Sequence, residues 1–584
     1  MNTLTGTSVE RYMGTAPKRM ATPRGSIVSC DMLQYMGKTF EAEPRLVEVA
    51  KGVHCYVGGG ISYRTMIDAP EGLVIFDTGD DIEDGERALA AFRTISNRPI
   101  RAIIYSHNHY AHGTTPFLAG QGEVTIIGHS LVNQHLKELA TGFATGGDFP
   151  EAMPVLTARF MSQFGSMLPS SGPDAGFAAT IPVGKPRGTV MANRLVTDGE
   201  VLKVAGLGMQ FFTEHFSDSE DTLTVWVPEL ELAMNNFLWP TLFNFYTLRG
   251  DVWRNPSSWR NGLRLIRDLA PTHLVNTCAL PVSGQSTVRD ALDRYIAAIG
   301  FMIDQTLRGI NQGLGPDELR EFVRLPKALA DCPYNAETYG EFCYFPPHLY
   351  EYIFGWFDGN ASHIHRLPPD EEARRIVAGF GGSTVVGAQC RSALAAGEVL
   401  WATQLSDYLH RCDPDSGEYR QLKADALREM AYRSSGTIAR QFCLTEALKL
   451  EGKIDLPVAV LPSVDAIVAA DPGRYISFQR IRLDPKKAGT TQFALRIVID
   501  DRDAEFALSV CYGVAEFIAG DAARALVADC ELHLAHRTWA KIYVGELRLQ
   551  EALDSGQARA DDRQSVTKFF AMFDVPAKRF SKNL

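Results

Sequence analysis

A chain of 584 residues, 45% of them hydrophobic and 22% charged, is long enough for roughly two to four domains with ample core. A formal net charge of −11, without any run dense in Lys or Arg, argues against a nucleic acid partner, because phosphate binding requires a basic face. Ten cysteines with no C-x-x-C pair make no disulfide framework, no apolar run reaches membrane-spanning length, and the first residues lack the apolar core of a signal peptide, so the expectation is a cytoplasmic enzyme with reduced thiols.

Residues 1–45 are rich in Gly, Pro and Thr with little periodicity, and are expected to wrap over a domain. From about residue 46 short β segments follow: "RLVEVAKGVHCYVG", "SYRTMIDA" and "EGLVIFDTGD". A helical "DGERALAAFRTI" and the apolar run "IRAIIYSH" come next. Strands interleaved with helix in this order predict an α/β fold of layered sheets. Residues 148–190, rich in Gly, Pro, Met and Phe without a period, read as a long loop covering a substrate. Strands resume at "MQFFTEHF", "DTLTVWVPELELAM" and "PTHLVNTCAL"; residues 286–313 read as one long helix and "GPDELREFVRL" as a second, capped one.

From Pro368 to about Leu450 nearly everything is helical, in pairs separated by small residues, which predicts an array of helical hairpins that presents a surface to a partner or to a second copy of the chain. Beyond "KIDLP" the pattern turns to α+β. The segments "YISFQRIRLD", "TQFALRIVID", "AEFALSVCYG" and "CELHLAHR" read as antiparallel strands, and "DRQSVTKFFAMF" as a last helix. Their apolar face is either an ordinary core or a groove for an apolar ligand.

The stretch "YSHNHYAHG", residues 105–113, carries His107, His109 and His112 directly after a buried strand, at the edge where α/β sheets place their sites. Three histidines within six residues at such an edge point to metal rather than packing. Asp77, at the end of "LVIFD", is read as a buried carboxylate bracing the histidine loop. The acidic "SDSED", apart from Asp218, reads as a hydrated turn, and "NFLWPTLFNFYTLRG" as either core or a surface for an apolar tail.

At these residues the chain resembles the metallo-β-lactamase superfamily, whose sheet-edge signature H-x-H-x-D-H follows a strand ending in DTG, and more closely the class III alkylsulfatases. The resemblance covers most of the chain, including "TLRG" at 247–250, "WFDGN" at 356–360, the helical middle and the C-terminal region. It implies a metallo-β-lactamase αββα sandwich over residues 1–366, an all-α helical dimerisation domain over 367–452, and an α+β sterol-carrier-like domain over 453–584. It also implies a homodimer that removes sulfate from alkyl chains at a two-metal centre.

Carried over residue by residue, the resemblance puts the first metal on His107, His109 and Asp218, the last where the sulfatases have glutamate. Of the second ligand set only His112 remains. Ala111 stands for its aspartate, Asn235 or Asn236 for the bridging glutamate, and Cys278, a candidate soft ligand, for its last histidine. Alanine binds no metal and asparagine offers only a neutral oxygen, so one divalent ion, zinc or iron, is expected. The leading expectation is a metal-dependent hydrolase acting on a small amphiphile with an anionic head. Arg249 of "TLRG" would hold the anion, Asn236 would contact substrate, and His112 or Glu220 would move protons. The alternatives are an oxygen-activating iron enzyme built on the two-histidine, one-carboxylate set, and an inactive binding homologue.

Overall fold

The computed structural model describes residues 8–14, 16–140, 149–178, 185–250 and 252–575. The chain divides into two compact units, one of residues 1–136 and 159–454 and the other of residues 137–158 and 455–584. The helical segment after Pro368 belongs to the first unit.

The first unit is built on two sheets. Strands β1 (Arg45–Ala50), β2 (Val53–Val57), β3 (Arg64–Ala69) and β4 (Gly72–Phe76) run antiparallel in turn. Helix α1 (Ile82–Arg93) then crosses over to β5 (Ile100–Ile104), which is parallel to β4, and β6 (Thr125–His129) and β7 (Arg194–Val196) continue in parallel. The second sheet runs β8 (Val201–Val204), β9 (Leu207–Phe212), β10 (Thr224–Val227) and β11 (Leu232–Asn235). Helix α2 (Pro256–Asp268) leads to β12 (His273–Asn276), which is parallel to β11, and β13 (Val282–Ser283) closes the edge.

Period-two alternation decides which residues meet. In β4, Val74 and Phe76 enter the core shared with Phe211, Val225 and Met234 of the second sheet, while Leu73 and Ile75 face the opposite way, toward Ala88 and Phe92 of α1. The far side of the second sheet packs against α2 and α3 (Gln285–Asn311) through Trp259, Leu263, Leu292 and Tyr295. Helix, sheet, sheet and helix therefore stack in layers, and a strand buried on both faces reads as a continuous apolar run. Trp239, Leu242, Phe243 and Phe245 are buried in this same cluster, so the aromatic stretch before "TLRG" is core.

Two expectations fail locally. Of the stretch 148–190, residues 148 and 179–184 lie outside the described residues, and among the others Met153–Gln163 is helical rather than loop. In the second unit "YISFQRIRLD" is not a strand: Asp471 caps the nitrogen of Gly473 with its side chain, Pro472 takes the first helical position, and Pro472–Ser477 runs on into a 3-10 turn over Phe478–Arg482. The other three segments are strands of a five-stranded sheet. It is mixed rather than antiparallel, because Phe493–Ile499 pairs in parallel with Cys530–Leu534. Leu495, Ile497, Leu532 and Leu534 pack with Trp539 and Tyr543 into an ordinary core.

The edge that carries the histidines is held by a close backbone approach. A Cβ on Gly113 would collide with the carbonyl oxygen of Thr78 and lie 2.9 Å from the Cα of Gly85 in α1. Gly113→Ala should therefore force the histidine loop away from α1 and cost about 1–3 kcal/mol, read as a lower denaturant midpoint; an unchanged midpoint would contradict this packing.

Candidate metal centre

The centre starts from Asp77, the first residue past β4. Its φ of 58° is in the left-handed region that a residue other than glycine adopts at a cost, and two hydrogen bonds and burial hold it there. Its N–H donates to the carbonyl of Ile104 at 2.9 Å, its Oδ1 accepts from the Ser106 N–H at 2.8 Å, and it is fully buried. Burial pushes its carboxyl up to about 7, against the bonds from Ser106. The Ser106 hydroxyl in turn meets His107 Nδ1 at 2.9 Å, which turns His107 Nε2 toward the centre.

His107 Nε2 lies 3.0 Å from His109 Nδ1, which lies 3.3 Å from Asp218 Oδ2; Asp218 Oδ1 is 3.9 Å from His107 Nε2. Two atoms bound about 2.1 Å from a shared ion at a tetrahedral angle would stand about 3.4 Å apart, so the three spacings fit one ion. The protonation states fit as well. Burial holds His107 down at about 4, leaving a neutral imidazole with a free lone pair. Burial alone would raise Asp218, but His107, His109 and Arg254 hold it well below the usual carboxylate range. His107 is fully buried while the side chain of His109 is 31% exposed, so the centre opens on the His109 side. Among the described residues no other set of three His, Cys, Asp or Glu side chains converges in this way.

His112 and Cys278 fall outside that set. Cys278 Sγ stands 3.1 Å from the Tyr110 hydroxyl, and burial raises both groups well above their ordinary values, so the pair is neutral. Ala111 is buried, its backbone bridged to Gly79. Asn235 is spent on local structure: its Oδ1 accepts from the N–H groups of Phe237 and Leu238. Asn236 faces the centre, its Nδ2 donating to Asp218 Oδ1 at 2.6 Å and to Ser217 Oγ at 3.1 Å. His112 Nδ1 meets Thr189 Oγ1 at 2.8 Å, and burial followed by the charges of Arg187, His109 and His107 lowers it to about 3. These residues fit one metal ion and offer a second no charge.

Of the remaining sequence candidates, Glu220 is exposed. The guanidinium of Arg249 sits 5.7 Å from the ring centre of Phe160 and 6.0 Å from that of Phe164. Two residues escaped sequence reasoning. Asp221 is not part of a hydrated turn but fully buried, accepting from the Asn108 N–H at 2.8 Å inside the histidine loop and pairing with His135 at 3.0 Å. Arg254 is buried, donates to the Asn244 carbonyl at 2.9 Å, and places its charge on both His107 and Asp218. The acidic run and the arginine that follows "TLRG" were the only signals for them.

Two family models match the chain, "Alkyl sulfatase dimerisation" over residues 315–453 and "Alkyl sulfatase C-terminal" over residues 463–581. A linear primary-alkylsulfatase of a Pseudomonas species is 33% identical over 475 residues, covering 78% of this chain and 88% of the relative. An (R)-specific secondary-alkylsulfatase of Pseudomonas is 26% identical, covering 93% of this chain and 81% of the relative. Among solved structures, the stereoselective inverting sec-alkylsulfatase Pisa1 from Pseudomonas superposes with a TM-score of 0.74 at 23% identity, over 99% of this chain and 94% of the other.

The Asp77–Ser106–His107 chain predicts how metal retention responds to substitution. Asp77→Ala removes the acceptor and the tolerance for positive φ, and should weaken metal affinity about 10- to 100-fold in a chelator competition. Asp77→Asn keeps an oxygen and tolerates that backbone, and should retain most of the affinity. Equal affinity in Asp77→Ala and the wild type would overturn the bracing role.

Proposed function

The chain belongs to the alkylsulfatase family, and we propose that it hydrolyses the sulfate ester of an amphiphilic alkyl chain at one divalent metal ion held by His107, His109 and Asp218. The observation that carries this reading is the convergence of those three ligand atoms, with His107 held neutral and Asp218 held ionised, in a chain 33% identical to a linear primary-alkylsulfatase. When bound, the ion supplies Lewis acidity toward a sulfate oxygen and toward water. Water adds across the ester and the products are the alcohol and inorganic sulfate.

The protein's own groups divide the remaining work. Asp218 keeps its negative charge, and Asn236 fixes the direction of its Oδ1 with an N–H. Arg249, at the position matching the sulfatases' arginine, offers a planar fork to a tetrahedral oxyanion, and Arg254 adds a buried positive charge to the field. His112, neutral and anchored by Thr189, orients through its ring, while Glu220 at the exposed rim exchanges protons with water. No helix among the described residues is long and apolar enough to cross a membrane. The helical region matched by the dimerisation model joins two copies of the chain, and its exposed Tyr352, Phe354 and Trp356, the last 72% exposed, suit such a contact.

One assay tests the reaction. Purified protein should release sulfate from a medium-chain alkyl sulfate under anaerobic conditions with about one metal per chain by elemental analysis. Arg249→Ala should lower kcat/KM about 10- to 100-fold. No sulfate release with any divalent metal, or O2 consumption in its place, would move the assignment to the iron chemistry that shares this ligand set. Light scattering tests the assembly: a dimer is expected at micromolar concentration, and a monomer would contradict it.

A further inference from the structure

The residues around His112 hold a feature that the proposed reaction leaves unused. Residues 185–189 form a strap between the two loops at the sheet edge. The Ile82 N–H donates to the Pro186 carbonyl at 3.1 Å, the Gly188 N–H donates to the His112 carbonyl at 2.7 Å, and the Thr115 N–H donates to the Gly188 carbonyl at 3.0 Å. The Thr189 hydroxyl meets His112 Nδ1 at 2.8 Å, and a Cβ on Gly188 would collide with the Thr115 hydroxyl, so the strap has no slack. Arg187 is the residue between these anchors. It is exposed and, among the described residues, its guanidinium makes no hydrogen bond or ion pair.

The charges that Arg187 faces are those of Asp80 and His112. Asp80 is already engaged: its Oδ2 accepts from the Ile61 N–H at 3.2 Å, and its carboxylate is shared with the charge of Arg64. His112 is kept neutral. A guanidinium that reaches solvent thus stands beside His112, the one residue of the second ligand set that the resemblance retains. We propose that Arg187 binds the sulfate head of the substrate and supplies the positive charge that a second metal ion would bring to that side of the centre. Its planar fork suits two oxygens of a tetrahedral anion, as a diffuse surface charge does not. This inference rests on the reading of the chain as a sulfate-ester hydrolase.

The test uses the full chain, inorganic sulfate and octyl sulfate. Arg187→Ala should weaken sulfate binding by calorimetry and raise KM for octyl sulfate about tenfold or more, with kcat less affected and metal content unchanged. Arg187→Lys should recover part of the loss, because it restores charge without the fork. Sulfate affinity and KM of Arg187→Ala indistinguishable from those of an active wild type would overturn the proposal while leaving the hydrolase reading intact. Loss of metal in Arg187→Ala would also overturn it, by showing that the strap supports the ligands instead. A wild type that neither binds sulfate nor cleaves octyl sulfate overturns the hydrolase reading, and this inference with it.

Discussion

The hydrogen bond from the Ser106 N–H to Asp77 Oδ1 is the contact on which the centre depends. It ties the end of β4 to the loop after β5, and through the Ser106 hydroxyl it sets which nitrogen of His107 faces inward. Both strand ends are rigid, since β4 is buried on its two faces and β5 lies beside it in parallel. The strain of a left-handed aspartate is tolerated because the Ile104 carbonyl and the Ser106 N–H specify that conformation from both sides. A ligand loop braced in this way keeps its geometry before any ion arrives.

Charge explains why the two halves of the centre differ. Asp218 and Asp221 are buried as carboxylates, at a desolvation cost that neighbouring charge and N–H donors must offset: Arg254 and the Asn236 amide for the first, His135 and the Asn108 N–H for the second. On the other half, a buried aspartate and glutamate without a second dication would be uncompensated. Ala111, Asn236 and the neutral Tyr110–Cys278 pair occupy those places instead. At the positions that the resemblance assigns to a second ligand set, Ala111 and Asn236 stand for carboxylates and carry no negative charge, while Cys278 stands for a neutral histidine as a neutral thiol. Cys278, far above its ordinary pKa and hydrogen-bonded to a tyrosine, lacks the thiolate that would make it a soft ligand.

The layering makes this asymmetry possible. The ends of β4 and β5 from one sheet and of β11 and β12 from the other deliver their loops to a single edge, with Asp218 arriving on the connection between β9 and β10. The loop after β5 carries His107 and His109 together with Ala111, while Asn236 and Cys278 arrive from the second sheet. Two arginines from separate stretches of chain bear on that edge: Arg187, exposed, on His112, and Arg254, buried, on His107 and Asp218.

Much of this was legible in the linear chain. Alternating and continuous apolar runs located the strands, and the spacing of His107, His109 and His112 marked the metal edge, because a metal site needs closely spaced donors on a strand-end loop. Where competing local signals were balanced, the pattern misled: "YISFQRIRLD" has strand-like alternation, yet Asp471 and Pro472 start a helix there. Asp221 could not be recognised, because a short acidic run looks the same whether it is hydrated or buried. The sequence by itself determined the residue types available to the centre, hence the single intact ligand set, and the alternation that layers the sheets. Tertiary structure alone decided which of those donors converge, that Cys278 stays a neutral thiol against Tyr110, and that Arg187, far from the histidines in sequence, stands beside His112. Those outcomes depend on distances and desolvation between loops from different strands, which no local pattern encodes.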